Sequence, residues 1–464
     1  MTPLSTQHFS EWTGGRWTHT PPNSIEDFCI DTRLLEPGQM FVALKTDTRD
    51  GHDFLASAKE QGASAAIVTK EAPHIKIPQL VVFSTERALR ELAIQQRIEY
   101  SGTTIGVTGS CGKTSTKDLL AVLLGEDALK THANFNNYLG VPLTVLRLRP
   151  VYSQAVVEVG MNATGEIASL ARIVRPDYSI ITTIAPVHLQ GVQSLQGVAN
   201  EKAELVKATR NLAILPVQCF RFPAFMQLTT PCMIAGKPEP GREYPDSSLF
   251  IDFNLDQKPN KTDIVLRYKE GRVLSFSVNR ISNGMARNMV LSLLLCLELG
   301  LDTHDLQGRL DSWKSTGMRC ERVRLGELDF FIDCYNANPA SMRDSLEYFN
   351  SITPEDQPRY YVIGGMKELG EYTEEYHQEL GRSFKLRSID RLYLIGDEVG
   401  GFLSGFRDAG RDDEHVKVFK DHNEVVKELR HLEGFVFLKG SRSYVLETVY
   451  NKLREIFLPV ESSC

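Results

Sequence analysis

Nothing in this 464-residue chain approaches the roughly 20 consecutive apolar residues that a membrane-spanning helix needs, so insertion into a membrane is not expected. The opening MTPLSTQHFSEW has no basic stretch followed by an apolar one, so no secretory leader is expected. The eight cysteines fall without C-x-x-C pairs or regular spacing, which excludes a zinc ribbon or a disulfide scaffold. In a chain this long they read as reduced, mostly buried thiols of a cytoplasmic protein. Basic residues are not in excess: 52 Lys and Arg stand against 59 Asp and Glu, a net charge of −7, which argues against a nucleic-acid partner. No fixed-period repeat or low-complexity tract is present. What remains is an ordinary globular composition, 42% hydrophobic and 24% charged, in a length that suits about three domains.

The expected class is α/β throughout. A small N-terminal α/β domain (1–98) holds short apolar runs, QMFVAL and ASAAIV, and a helix, TERALRELAIQQRIEY. A central domain (99–311) alternates strand-like runs (TTIGVTG, QAVVEVG, DYSIITTI) with helix-like ones (TSTKDLLAVLLG, GEIASLARIV, NEKAELVKAT). That alternation is the signature of βαβ units around a mainly parallel sheet. DIVLRYKEGRVLSFSVN predicts a hairpin turning at Glu270-Gly271, and NMVLSLLLCLELG a strongly apolar helix. The C-terminal domain (312–464) alternates again (DFFIDCY, RYYVIGG, DRLYLIG, GFVFLKG), which predicts a second, Rossmann-like doubly wound unit.

VTGSCGKTST, Val107 to Thr116, resembles a phosphate-binding loop but lacks the first glycine of G-x-x-x-x-G-K-[ST]. Its context is right, because a strand precedes it and a helix follows. Gly109 and Gly112 let the backbone curl so that successive N–H groups face an anion, and the helix N-terminus favours negative charge. Thr108, Ser110, Cys111 and Ser115 belong to the same cradle. Lys113 would reach the β- and γ-phosphates of ATP and the Thr114 hydroxyl would bind Mg²⁺. A chance G-K-T at a strand–helix turn is the alternative, and the flanking elements disfavour it.

Ligands of an open parallel sheet sit outside the carboxyl ends of its strands. Glu158 lies at the end of QAVVEVG, and His188 closes the stretch APVH after DYSIITTI. Each alone could be a structural residue, a salt-bridging carboxylate and a packed loop histidine. Together at the edge that carries Lys113 they suit metal binding, although imidazole is an unusual magnesium ligand.

These residues and their neighbours resemble the Mur ligase family of ATP-dependent amide ligases along nearly the whole chain. TGSCGKT, from Thr108 to Thr114, resembles that family's shortened loop T-G-x-x-G-K-[ST]. NFNNYLGVP (Asn134 to Pro142) resembles its Asn-rich loop, and EVGMN with His188 its magnesium positions. NEKAE (Asn200 to Glu204) resembles the segment whose lysine is carbamylated in many members, which would make Lys202 a carboxylate-like metal ligand. Taken alone, Lys202 reads as an exposed helix residue. DTR with PGQMFVAL and DGHDF resembles the domain that holds a UDP-sugar. DCYNANP and VIGGMKELG resemble motifs of members that join D-alanyl-D-alanine to UDP-N-acetylmuramoyl-tripeptide, and KGSR resembles the last motif of the family as a whole.

The resemblance implies that ATP phosphorylates the tripeptide carboxylate and that the dipeptide amine then attacks the acyl phosphate, a step of peptidoglycan precursor synthesis. It implies Lys113, His188 and Lys202 as catalytic groups, and two Mg²⁺ held by Thr114, Glu158, His188 and carbamylated Lys202. Asn137, Arg319, Asp333, Tyr335 and Asn336 would join the loop around ATP. Thr32, Arg33 and Asn136 would hold the UDP-linked substrate. Arg319 reads equally well as a surface ion pair. The family's His-Asn pair ahead of the apolar helix is missing, because Gly284 and Met285 stand there. A monomer acting on small molecules is expected. The rival readings are a family member adding a single amino acid, or glutamate to a folate, and a nucleotide-gated binding module. All of Lys113, Glu158 and His188 are present, which disfavours the last.

Overall fold

The computed structural model describes residues 3–315 and 317–458. Three sheets carry most of the chain, together with a two-stranded ribbon near the N-terminus. The first has five short strands in the order Arg16–Trp17, Gln79–Val81, Ala65–Val68, Met40–Val42, Phe28–Cys29, parallel except at the first. Met40–Val42 and Ala65–Val68 are buried along their whole length, as the unbroken apolar runs of a sheet covered on both faces must be. Helix α1 (Thr85–Glu99) follows, started by the Ser84 hydroxyl accepting from the Arg87 N–H. Its buried stripe of Ala88, Leu89, Leu92 and Ala93 packs on central-domain helices Gly140–Val145 and Glu166–Val174. The N-terminal domain therefore shares a hydrophobic core with the central one.

The central sheet has nine strands: β1 (Thr103–Thr108), β2 (Ala128–Lys130), β3 (Gln154–Glu158), β4 (Tyr178–Ile181), β5 (Leu212–Pro216), β6 (Cys232–Ala235), β7 (Ser248–Gln257), β8 (Lys261–Arg267) and β9 (Val273–Asn279). Their order across the sheet is β9-β8-β7-β6-β5-β4-β1-β3-β2. Strands β2 to β7 and β1 run parallel, and the β8–β9 hairpin adds an antiparallel edge. The hairpin turns where the sequence placed it, with Gly271 at φ 91° and its N–H on Tyr268 O. Between β3 and β4 the chain crosses from one side of β1 to the other. This makes the carboxyl end of β1 a switch point, where an open α/β sheet leaves a crevice.

Helices α2 (Lys113–Leu124), α3 (Leu195–Lys207) and α4 (Asn283–Glu298) matter for the site. Helix α4 starts five residues before the expected NMVLSL run, because Ser282 caps it by accepting from the Met285 N–H. Gly284 and Met285 thus sit inside its first turn and not ahead of it.

The C-terminal sheet comprises β10 (Glu321–Leu325), β11 (Leu328–Ile332), β12 (Arg359–Gly364), β13 (Arg391–Ile395), β14 (Val416–Phe419) and β15 (Gly434–Lys439), in the order β10-β11-β15-β12-β13-β14. Only β10 is antiparallel. Helix α5 (Pro339–Ile352) opens on a capping box between Asn338 and Ser341, with Pro339 preset in its first turn. No helix among the described residues is long and apolar enough to cross a membrane. The described cysteines are all free, and five of them are buried.

Candidate active site

The turn after β1 closes tightly on its surroundings. A Cβ at Gly109 would lie 1.7 Å from Thr182 Oγ1, and one at Gly112 would lie 2.1 Å from Asn288 Nδ2. Gly112 is also at φ 80°, where a side chain strains the backbone. The loop is tied down by Thr182 Oγ1 donating to Cys111 O at 2.6 Å and by Ser110 Oγ donating to Ala185 O at 2.8 Å. The Ser110 hydroxyl is thereby spent on the scaffold, and its contribution to an anion is the backbone. Lys113 opens α2 and rests its ammonium on Gly109 O at 2.9 Å. Burial holds this ammonium below its ordinary range, and nearby Glu158 partly restores it. Burial pushes the Cys111 thiol up to about 11, so it is protonated near neutral pH and no nucleophile. Replacing Gly112 with alanine is expected to weaken ADP binding about tenfold, through an αL strain of ~1–3 kcal/mol and the push against Asn288. Titration calorimetry reads this directly, and unchanged affinity would refute the close-approach argument.

Glu158, at the end of β3, is 1% exposed. Its Oε1 accepts from Asn136 Nδ2 at 2.7 Å, while Oε2 is buried and has no partner among the described residues. A buried carboxylate oxygen without a donor is costly unless a cation meets it. His188 holds an αL backbone at φ 50°, and its Nδ1 lies 2.6 Å from Glu368 Oε2. That hydrogen bond from His188, ahead of the pull of Lys113, holds the Glu368 carboxyl below its usual range. Lys202, on α3, is 1% exposed, so its reading as a surface lysine is overturned. Desolvation, then the charge of Lys113, depresses the Lys202 ammonium well below its ordinary range. The sequence could not show this, because helical position says nothing about what packs against a given face.

Among the described residues no cluster of three or more His, Cys, Asp and Glu side chains forms a ready cage for a metal. Magnesium keeps waters and substrate phosphates and needs few protein ligands. The orphaned Glu158 oxygen fits such an ion. The Lys202 amine, buried and with no hydrogen bond or ion pair among the described residues, fits carbamylation, which requires the neutral amine.

A cavity of about 1530 Å³ lies between the central and C-terminal domains. It brings together Ser110, Cys111, Gly112, Lys113, Thr114 and Ser115 with Asn136, Asn137, Glu158 and His188. From the other domain come Arg319, Asp333, Tyr335 and Asn336. Arg319 makes no ion pair among the described residues; its guanidinium lies 3.9 Å from the centroid of the Tyr335 ring. Asp333 is engaged by buried Lys439, Nζ to Oδ2 2.5 Å, and by the Ser345 hydroxyl. Asn336 is exposed, with Oδ1 accepting from Ala337 N–H. Asn137 Oδ1 accepts from the Leu139 and Gly140 N–H groups in the turn that leads into the helix Gly140–Val145.

Several expected site residues stand outside this cavity. Thr108 is wholly buried at the end of β1, Lys202 is buried on α3, and neither they nor Gly109 line the cavity. Thr32 and Arg33 belong to the N-terminal domain, where Arg33 Nε donates to Asp31 Oδ1 at 2.9 Å and holds that carboxyl down at about 2. No sequence motif marks Asp344, which meets the turn that carries Gly284. Its Oδ1 accepts from the Gly284 N–H at 2.8 Å, and a Cβ at Gly284 would lie 2.5 Å from Oδ2. Glycine there admits a carboxylate from α5 against the first turn of α4. Asn338 Nδ2 reaches Ser110 O at 3.4 Å, and Tyr348 OH donates to Arg280 O at 2.6 Å. These contacts join the two domains across the cavity.

A glycine-lined anion cradle at a switch point, faced by a second doubly wound domain and flanked by a buried carboxylate, defines a nucleotide-dependent α/β enzyme. Comparison with known proteins narrows the class. Three family models match: the Mur ligase family, catalytic domain (residues 25–97), the Mur ligase middle domain (107–296) and the Mur ligase, glutamate ligase domain (318–442). The UDP-N-acetylmuramoyl-tripeptide–D-alanyl-D-alanine ligase of Escherichia coli K12 is 31% identical, over 93% of this chain and 94% of its own. The ligase of the same name from Bacillus subtilis 168 is also 31% identical, over 93% of each chain. Among solved structures, MurF of Acinetobacter baumannii superposes with a TM-score of 0.83 at 27% identity, covering 98% of this chain and 99% of that one. MurF of Thermotoga maritima in complex with ADP gives 0.75 at 25%, covering 93% and 97%. The chain belongs to the Mur ligase family.

Proposed function

We propose that this enzyme joins D-alanyl-D-alanine to UDP-N-acetylmuramoyl-tripeptide at the expense of ATP, giving the UDP-linked pentapeptide, ADP and phosphate. The observation that carries the reading is the convergence of Lys113, Glu158 and His188 with Arg319, Tyr335 and Asn336 on one interdomain cavity. Kinship along 93% of the chain with ligases named for this reaction selects the substrates.

The loop amides and Lys113 hold the β- and γ-phosphates, with Arg319 and Asn336 approaching the nucleotide from the C-terminal domain. The tripeptide carboxylate attacks the γ-phosphorus, and the bond to the β–γ bridging oxygen breaks, leaving ADP and an acyl phosphate. The dipeptide amine then attacks the acyl carbon, loses its proton and expels phosphate. Positioning and charge neutralisation dominate such a transfer. Thr114, Glu158, His188 and carbamylated Lys202 would hold two Mg²⁺, which would neutralise the meeting anions. The docked C-terminal domain keeps water from the acyl phosphate. Thr32, Arg33 and Asn136 would hold the UDP-linked substrate. We place the reaction in the cytoplasm of the cell, catalysed by a monomer; the free thiols fit a reducing compartment.

Phosphate release, measured with MgATP and both substrates and with each omitted in turn, is expected to need all three and to yield pentapeptide by mass. Release with a single amino acid, or with a folate and glutamate, would keep the family and overturn the substrates. Tight ATP binding without release for any acceptor would leave a binding module. Stripping carbon dioxide and bicarbonate is expected to lower turnover severalfold, with recovery on adding bicarbonate. An enzyme indifferent to bicarbonate, with no 44-dalton adduct on Lys202 by native mass spectrometry (the mass of one CO₂, about 44), would refute the carbamate.

A further inference from the structure

The loop that carries Glu368 is built more firmly than a surface loop needs to be. Lys367 N–H donates to Ser441 Oγ at 2.8 Å, and Met366 N–H to His377 Nε2 at 2.9 Å, so the C-terminal domain grips it from two sides. Glu368 itself is held at φ 67°, a conformation that a non-glycine residue keeps only when its surroundings impose it. Across the cleft, His188 is held in the same way, at φ 50°. Between these two strained residues the imidazole Nδ1 and the carboxylate Oε2 meet at 2.6 Å. The backbones meet as well: Gln190 N–H approaches Glu368 O at 3.4 Å, and Gly370 packs beside Gln190 at ordinary contact distance.

An ionised carboxylate only accepts, so Nδ1 must carry the proton. The lone pair of a neutral ring then lies on Nε2. Metal-binding histidines are commonly oriented by a carboxylate in this way, and loss of that partner typically costs 10–100-fold in metal affinity or activity. Here the carboxylate belongs to a different domain from the histidine.

We propose that Glu368 is a positioning residue that fixes the tautomer and aim of His188 from across the cleft, so that the imidazole is presented to a divalent cation only when the two domains are docked. This rests on the assignment of His188 to metal binding above. Docking and metal capture are then one event: the site forms as the cavity closes, and metal-assisted transfer of phosphate to water in the open enzyme is suppressed. A plain surface ion pair, the competing account of a half-exposed glutamate, would add little to stability and nothing to the metal.

The test uses the whole enzyme and two readouts. Binding of Mn²⁺ in the presence of ADP is followed by the loss of the free-ion paramagnetic resonance signal, and phosphate release is followed against Mg²⁺ concentration. Glu368→Ala is expected to raise both the Mn²⁺ dissociation constant and the half-saturating Mg²⁺ about tenfold, with an unchanged melting temperature. Glu368→Gln, whose amide oxygen still accepts from Nδ1, is expected to fall between. In a His188→Ala background Glu368→Ala is expected to add nothing, because its effect passes through the ring. Unchanged metal dependence in Glu368→Ala, or an equal shift in both backgrounds, would overturn the proposal. A wild-type chain that binds Mn²⁺ with ADP but ligates nothing would sink the functional reading alone, and the Mn²⁺ titrations would still decide the role of Glu368. A wild-type chain that binds no Mn²⁺ would sink both.

Discussion

Replacing Lys113 with alanine is expected to lower phosphate release and pentapeptide formation about 10²–10³-fold, the usual cost of one charge-stabilising group in a water-poor site. The side chain touches the loop only through Gly109 O, so its removal leaves a single carbonyl at the edge of a wide cavity. Folding should barely notice. The loop keeps its shape through the Thr182–Cys111 and Ser110–Ala185 bonds, neither of which involves the lysine. In the ligation two anions, a carboxylate and a triphosphate, approach each other, and the ammonium lies where that charge gathers. Arginine is not expected to restore the rate. Its planar fork is larger than an ammonium, and the cradle is shaped by glycines that tolerate no intrusion. Steady-state kinetics with circular dichroism melting decides the matter. Turnover above a tenth of wild type would take Lys113 out of the mechanism, and a collapsed melting curve would show that it is structural.

The second large effect lies far from the cavity. Arg97 is 3% exposed near the end of α1 and hydrogen-bonds to Val174 O, Arg175 O, Tyr100 O and Thr104 Oγ1 and to Asp177 Oδ2 at 2.9 Å. Asp177 also accepts from the Thr104 N–H and pairs with Arg210. One guanidinium thus ties the helix leaving the N-terminal domain to the start of β1 and to the turn entering β4. Burial pushes Arg97 down, and the charge of Asp177 supports it. Arg97→Ala is expected to destabilise the chain by about 3–5 kcal/mol, the cost of leaving a buried charge without its partner. Lysine cannot replace it, since one ammonium cannot serve acceptors arranged for a planar fork. Urea unfolding of the two variants tests this, and a loss below about 1 kcal/mol would mean that Arg210 and water take over.

Much of the site was legible before any fold was drawn, and the reasons are local. Strand and helix periods placed β1, β3, β4 and α2. A glycine-bracketed turn between β1 and α2 carries its own reason for binding phosphate. Glu158 could be put at an edge because a strand-like run ends there. Other features were illegible for an equally physical reason. Lys202 sits on a helix whose pattern does not mark the lysine as inward, and only packing buries it. Arg319 offered a choice between ion pair and ligand, and the structure gives it a stacked tyrosine from sixteen positions on. Asp344 packs against the first turn of α4 at Gly284, yet it lies sixty residues away on another domain.

The sequence by itself determined the α/β class, the phosphate cradle and the family, because periodicity, turn chemistry and contiguous motifs are properties of neighbours along the chain. Tertiary structure alone decided which of those groups face one another. It set His188 against Glu368, Gly284 against Asp344 and Asp333 against Lys439, and it left one oxygen of Glu158 buried without a donor among the described residues. Charge, desolvation and hydrogen bonding act through space, so pairs that meet only when two domains dock leave no local mark in the order of residues.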